Sequence, residues 1–247
     1  MAKRIIGHRG ARDLWPENSL AGFRNALGLG LDGVEFDVHP TRDGGLAVIH
    51  DPTLDRTTDG KGLVAAHSMA ELQALRLHGA DEGVPSLDQV LDVLAPANTE
   101  LHIELKADAA EHPYPGLEPQ VVAVVQRRGI DARAVLTSFW LDVLQRLREN
   151  WPEIRLLVSL NASSVARQGG LEHVLDRLDA LRVEFVAVHK DLLRKEMATF
   201  QRRVGPARLG VWVVNRPDEI AYWLAAPIGL ITSDRPDLIL QNRGRAP

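Results

Sequence analysis

The 247-residue sequence contains no cysteine. That absence removes disulfide frameworks, thiolate zinc sites, iron–sulfur clusters and a cysteine nucleophile together. Any metal the chain binds must take oxygen or nitrogen ligands. Excess positive charge is also missing: 29 Lys and Arg stand against 33 Asp and Glu, a formal net charge of −4. No bulk positive field holds a polyanion, so nucleic acid is not an expected partner. No apolar run approaches the ~18 residues of a membrane span, and the chain enters a strand-like pattern by Arg4, leaving no room for a leader. A cytoplasmic protein is expected. What is present is ordinary for a globular protein, with 45% apolar and 25% charged residues. At about 150 residues per domain, the length fits one large domain or one domain carrying an insertion.

Short β-rich runs fall at 3–8, 33–39, 46–50, 100–106, 134–139, 154–160, 184–189, 209–215 and 229–232. Helical stripes lie between most of them, such as Leu20, Phe23 and Leu27, closed by Gly28 and Gly30. Leu87, Val90, Leu91 and Leu94 form another, announced by Ser86 and Gln89 in capping-box spacing. The link Thr41-Arg42-Asp43-Gly44-Gly45 is too short for a crossover, so 46–50 must turn back antiparallel. Eight strands then remain, nearly all followed by a helix, in about 250 residues. This is the arithmetic of an α/β (β/α)8 TIM barrel, with a doubly wound open sheet as competitor. Residues 1–247 are expected to form one barrel domain. Residues 51–85 carry no strand pattern and read as an inserted, lid-like segment.

A barrel gathers its chemistry at the C-terminal ends of its strands, and the polar residues comply. The first strand ends in His8-Arg9-Gly10, the second carries Glu35 and Asp37, and the third parallel strand carries Glu104 and Lys106. Glu35 and Asp37 are two apart between Val34, Phe36 and Val38, so both carboxylates share a face. Three acids converging inside a barrel repel one another unless neutralised, which points to a bound cation. An all-oxygen set selects one hard divalent ion, Mg²⁺ or Ca²⁺. Of the nine histidines, His8 and His50 stand out because each closes a strand and precedes a charged residue. His39, His67, His78, His112 and His173 have no such context, and His102 reads as packing deeper in the barrel.

Taken in order, His8-Arg9-Gly10, Pro16-Glu17-Asn18-Ser19, Glu35-Phe36-Asp37-Val38, His50-Asp51 through Thr58, and Glu104-Leu105-Lys106 resemble the glycerophosphodiester phosphodiesterase family. The likeness continues through Val84-Pro85-Ser86-Leu87, Thr137-Ser138-Phe139, Trp212-Val213-Val214-Asn215 and Ser233-Asp234-Arg235-Pro236-Asp237. The resemblance implies a barrel with an insertion after its second strand, and metal-dependent hydrolysis of a small-molecule glycerophosphodiester to sn-glycerol 3-phosphate and an alcohol. It implies Glu35, Asp37 and Glu104 as metal carboxylates, His8 and His50 as the acid/base pair, and Arg9 and Lys106 on the phosphate. Phe139 and Trp212 would wall the glycerol pocket. His102 and the Ser233-Asp234 pair depart from the family pattern and are left outside the site. Asn18 fits the motif and equally an N-cap for the helix at Leu20. Glu17, Asp51 and Arg56 read either as residues that orient the site or as loop salt bridges.

Three rival readings are weighed against this one. A related barrel phosphodiesterase acting on lysolipids, sphingomyelin or phosphoinositides would want an apolar rim, whereas Thr57-Thr58-Asp59-Gly60-Lys61 is polar. A non-catalytic metal-binding barrel has no use for two histidines, three acids and two cations together. A sugar-processing barrel needs carboxylates on opposite sides of a bond, which adjacent same-face positions do not supply. No cluster in the later loops marks a pocket for the leaving alcohol, so head-group esters are expected to be cleaved within about a factor of ten of one another. The sequence leaves the oligomeric state open.

Overall fold

The computed structural model describes residues 3–243. Nine strands lie among them: β1 (Arg4–His8), β2 (Gly33–Pro40), β3 (Leu46–Val48), β4 (Glu100–Leu105), β5 (Ala134–Ser138), β6 (Arg155–Leu160), β7 (Phe185–His189), β8 (Leu209–Trp212) and β9 (Leu230–Ser233). All but β3 form a parallel ring that closes through β1, which pairs with both β2 and β9. This is the (β/α)8 barrel the periodicity predicts, with strand positions agreeing closely; the run expected over 209–215 stops at Trp212. β3 pairs antiparallel with β2 alone, Val38 opposite Val48 and Pro40 opposite Leu46. The turn between them closes where Thr41 N–H donates to the Gly45 carbonyl at 2.9 Å. Gly44 there has φ 81°, a conformation costly for a residue with Cβ.

Alternation along the strands builds two cores. Val34, Phe36 and Val38 point outward into the layer shared with the helices, where Phe23 meets Phe36 edge to face at 5.5 Å. Inside the ring, Ile6, Val135, Leu157, Phe185, Ala187 and Leu230 fill the lower barrel, a packed plug rather than a pore. The helices lie between strands. α1 (Leu20–Leu27) is capped by Ser19, whose Oγ accepts from Gly22 N–H at 2.8 Å, so the N-cap role weighed for Asn18 belongs to its neighbour. Residues 51–85 hold a 3₁₀ turn (Val64–Ala66) and α2 (Met69–Ala74), packed on a small core of their own that includes Ile49, Leu54, Val64, Leu72 and Val84. α3 (Leu87–Leu94) starts with the expected Ser86/Gln89 capping box and buries Leu87, Val90, Leu91 and Leu94. α4 (Leu117–Arg127), α5 (Leu141–Asn150), α6 (Ala162–Arg167), α7 (Leu171–Leu181), α8 (Lys190–Arg203), α9 (Pro217–Ala225) and α10 (Pro236–Asn242) complete the outer ring. No helix among the described residues is long and apolar enough to cross a membrane.

The floor of the barrel is fastened by charge. Glu100 accepts from Arg155 at 2.6 Å, lies 3.9 Å from Arg4 and faces His102 Nε2 at 3.5 Å. His102 is buried and stacks on Phe185 at 6.2 Å, as its reading as packing expects. Burial pushes the Glu100 carboxyl up, but hydrogen bonds from His102 and Arg155 bring it down to about 2. A folded-state pKa below the ordinary ~4.3 means that ionised Glu100 contributes stability above that value and loses it as pH falls toward 2. Glu100→Gln should therefore be about 2 kcal/mol less stable than wild type in urea at pH 7, and the two should converge as pH falls to 2. A gap that stays constant over that range would show that the charge is not what holds the floor.

Candidate active site

Strand register assembles the site. Pairing sets His8 beside Glu35, Glu35 beside His102, Asp37 beside Glu104, and Glu104 beside Thr137. Glu35, Asp37 and Glu104 are buried, and one oxygen of each lies within 4.8 Å of the others. Burial drives the Glu35 carboxyl well above the usual carboxylate range, and the negative charges of Asp37 and Glu104 push it further. Asp37 goes the other way: burial opposes its charge, but Lys106, His50 and Arg9 and a hydrogen bond from Asn18 hold it well below its ordinary value. Two members of the cluster are thus shifted in opposite directions under one shared repulsion.

Cations and amides answer that repulsion. Lys106 Nζ donates to Glu104 at 2.7 Å and lies 3.3 Å from Asp37. Arg9 has φ 51° and Gly10 φ 90°, and this left-handed turn aims the Arg9 N–H at Glu35, 3.1 Å away. Arg9 Nε is 3.4 Å from Asp37, and its NH1 donates to Glu17 at 3.1 Å. Asn18 donates from Nδ2 to Asp37 at 2.9 Å, while its buried Oδ1 has no partner among the described residues. Three carboxylates and an orphaned amide oxygen beside them make a donor set that fits a hard divalent cation.

The two histidines are each held by an aspartate. His8 Nδ1–H donates to Asp234 at 2.5 Å, and Asp234 is fixed by Asn215 and Arg12 at 2.7 and 3.1 Å. His50 Nδ1–H donates to Asp51 at 2.6 Å. Both rings therefore leave Nε2 outside that bond and available to the cleft they line. His50 reaches the barrel because β3 folds back along β2, with Ile49 N–H on the Asp37 carbonyl at 3.1 Å. Beneath it His39 is fully buried, its Nε2–H on the His50 carbonyl at 3.1 Å and its Nδ1 facing the Tyr114 hydroxyl at 3.2 Å. Arg56 joins the halves of the site, donating to Asp51 at 2.6 Å and to both oxygens of Glu17 at 2.8 Å. Glu17, Asp51 and Arg56 are thus one ionic chain that ends on His50 and Arg9, not separate loop salt bridges.

All nine residues singled out for the site stand around one cleft or its lining, and sequence reasoning missed two that bear on them. Asp234, set outside the site, is the partner of His8. His39, given no context, props the backbone under His50. The cleft has two lobes. One, of about 320 Å³, is lined by His8, Arg9, Glu35 and Ser159 and walled by Phe139 and Trp212, which meet edge to face at 5.6 Å. The other, of about 430 Å³, is lined by Lys106, Asp108, Glu111, Trp140 and Arg167. His50, Glu104, Phe139 and Asn161 border both. Of residues 51–85, Pro52 alone reaches the lining of either lobe.

Fold and site together define a hydrolytic barrel arranged for an anionic ester. Residues 8–238 match the model of the glycerophosphoryl diester phosphodiesterase family. A glycerophosphodiester phosphodiesterase of Caldanaerobacter subterraneus subsp. tengcongensis is 29% identical over 97% of this chain and 97% of its own. The uncharacterized protein YqiK of Bacillus subtilis is 30% identical over 95% and 96%. The crystal structure of a glycerophosphoryl diester phosphodiesterase, so described on a putative basis, from Agrobacterium tumefaciens superposes with a TM-score of 0.90 at 27% identity, covering 99% of this chain and 98% of that one. An Oleispira antarctica phosphodiesterase, solved with its product sn-glycerol-3-phosphate, superposes at 0.82 with 25% identity, covering 97% and 96%. The chain belongs to the glycerophosphoryl diester phosphodiesterase family, and its activity is that of a glycerophosphodiester phosphodiesterase.

The crowded carboxylates have a measurable cost. Because the Glu35 pKa is raised on folding, the folded state binds more protons than the unfolded one, and stability falls as pH rises through the window above ~4.5. In chelator at pH 8, Glu35→Gln should be more stable than wild type, because it removes the charge that burial and the neighbouring carboxylates penalise. As pH falls toward 4 the advantage should shrink, because the unfolded state then takes up the proton as well. Thermal unfolding at the two pH values checks this, and an unchanged or lower Tm for the variant at pH 8 would refute the repulsion.

Proposed function

We propose that this chain hydrolyses glycerophosphodiesters to sn-glycerol 3-phosphate and an alcohol with the help of one divalent cation, Mg²⁺ or Ca²⁺, and a His8/His50 acid/base pair. The observation that carries the reading is the pair of His–Asp dyads whose histidines line the same pocket as members of a buried carboxylate triad. The product held by the Oleispira antarctica relative supports the glycerol phosphate end of the substrate. Glu35, Asp37 and Glu104 would hold the cation, which when bound would neutralise their repulsion and draw charge from the phosphoryl oxygens.

The chain's own groups do the rest. Arg9 and Lys106 hold phosphate oxygens at the junction of the lobes and spread the charge that repels a nucleophile. Phe139 and Trp212 pack on the glycerol carbons in the smaller lobe. His8 borders only that lobe, and burial, reinforced by the Arg9 charge, lowers its pKa against the hydrogen bond to Asp234. A lowered pKa favours the free base, and on this reading Nε2 takes the proton of the attacking oxygen, whether water or the glycerol 2-hydroxyl. His50 borders both lobes, so its Nε2 stands where the alcohol departs and gives the proton the alkoxide needs. The inserted segment is polar over residues 57–61, and lysolipids, whose acyl chain needs an apolar surface, are poorer substrates on this reading.

The test is hydrolysis of glycerophosphocholine followed by release of glycerol 3-phosphate. Excess chelator should lower kcat/KM by about two orders of magnitude or more, with recovery on adding Mg²⁺ or Ca²⁺. His8→Ala and His50→Ala should each cost about 10²–10⁴ in kcat, and the double variant far less than the product of the two. Full turnover in chelator would overturn the cation, and near wild-type turnover in either folded variant would overturn the pair.

A further inference from the structure

The larger lobe is not needed to hold glycerol phosphate, for which the smaller lobe suffices, yet it opens from the same junction at His50, Glu104 and Phe139. Three stretches distant in sequence build it: residues 107–111 after β4, Trp140 at the start of α5, and Arg167 at the end of α6. Arg167 lies over the Trp140 ring at 4.9 Å and pairs with Glu111 at 2.5 Å, which ties the loop after β4 to α6. These contacts use up the charges of Arg167 and Glu111. Lys106 lines the lobe too, held from the carboxylate side by Glu104 and Asp37.

Asp108 is different. Its Oδ1 accepts the backbone N–H groups of Ala110 and His112 at 2.9 and 2.8 Å, while no described residue donates to its Oδ2. His112 Nδ1 lies 3.9 Å from Oδ1, and the Asp108 side chain is 40% exposed. It is the acid of this lobe whose charge is left over. It also sits two residues beyond Lys106, in chain that is extended at Ala107, which bridges to Pro113. Two extended residues span about 6.6 Å. The lobe thus presents a cation and, two residues on, an anion, the order of charges that complements a phosphodiester whose alcohol carries an ammonium group.

Resting on the hydrolytic reading above, we propose that the larger lobe receives the leaving alcohol and that Asp108 selects esters of amino alcohols, with a primary or quaternary ammonium, over esters of neutral polyols. A partly exposed ion pair is worth at most about 1 kcal/mol, so the preference is modest, about threefold to fivefold in kcat/KM. It sits mainly in KM, because the ammonium lies away from the bonds that change.

The test compares kcat/KM for glycerophosphoethanolamine, glycerophosphocholine and glycerophosphoglycerol, with the full chain and added Mg²⁺ or Ca²⁺, at 50 and 500 mM salt. The ammonium esters should lead by about threefold to fivefold at low salt, and the lead should shrink at high salt as the pair is screened. Asp108→Asn keeps the oxygen that accepts from Ala110 and His112, and should bring the ratio of ammonium to glycerol esters close to one. Equal rates for all three esters in wild type would overturn the selection while leaving the hydrolysis reading intact. So would a loss in Asp108→Asn that falls on all three alike. No hydrolysis of any ester would overturn the hydrolysis reading and the selection with it.

Discussion

Three carboxylates buried within a few ångströms of one another inside a barrel are the constraint around which this structure is arranged. Left alone, Glu35, Asp37 and Glu104 would push the strands that carry them apart. Lys106, Arg9 and Asn18 are the responses, the first just past β4 and the other two in the loop between β1 and α1. The left-handed turn at Arg9 and Gly10, which costs about 1–3 kcal/mol in an unsupported loop, is held because it turns a backbone N–H toward Glu35 and a guanidinium toward Asp37. Stability is given up here for a site of concentrated charge, a trade common where function needs groups that folding alone would avoid.

Charge also carries order outward from the triad. Arg9 leads to Glu17, Glu17 to Arg56, Arg56 to Asp51 and Asp51 to His50. The chain of ion pairs spans the loop after β1 and the start of the inserted segment, so the orientation of one histidine depends on a guanidinium that never enters the cleft. On the other side Asp234, fully buried at the end of β9 and bonded to Asn215, plays the matching part for His8. One dyad is anchored in the wall of the barrel by Asn215 and Arg12, and the other nearer the surface by Arg56. His8 is accordingly the more buried of the two histidines.

Much of this was legible in the sequence because it is local. Strand alternation declares itself over five residues, and Glu35 and Asp37 share a face by spacing alone. The hairpin was legible because its turn is too short for anything else. Ser86 and Gln89 announce their helix three residues apart. What escaped depends on closure of the ring. Asp234 meets His8 only because the last strand lies beside the first, a contact across 226 positions. His39 looks like any strand histidine until β3 folds His50 above it. The larger lobe draws on residues 107–111, 140 and 167, none of them conspicuous alone, so the sequence did not announce the second lobe that the fold assembles. Asn18 and Ser19 fit the same motif, and only the observed backbone assigns the cap to one and the contact with Asp37 to the other.

The position of β3 outside the ring has a consequence for how such an enzyme diversifies. Eight strands close the barrel without it, and β2 is the one strand it pairs with. The residue it delivers, His50, is thus mounted on an appendage, whereas His8 and the three carboxylates are mounted on the ring itself. Residues 51–85 pack against that appendage with a core of their own. Insertions there can lengthen, shorten or be exchanged while the ring keeps its register, provided the Arg56 tether survives. The barrel is the conservative part of the molecule, and the hairpin is the place where lineages can experiment without first unmaking the fold.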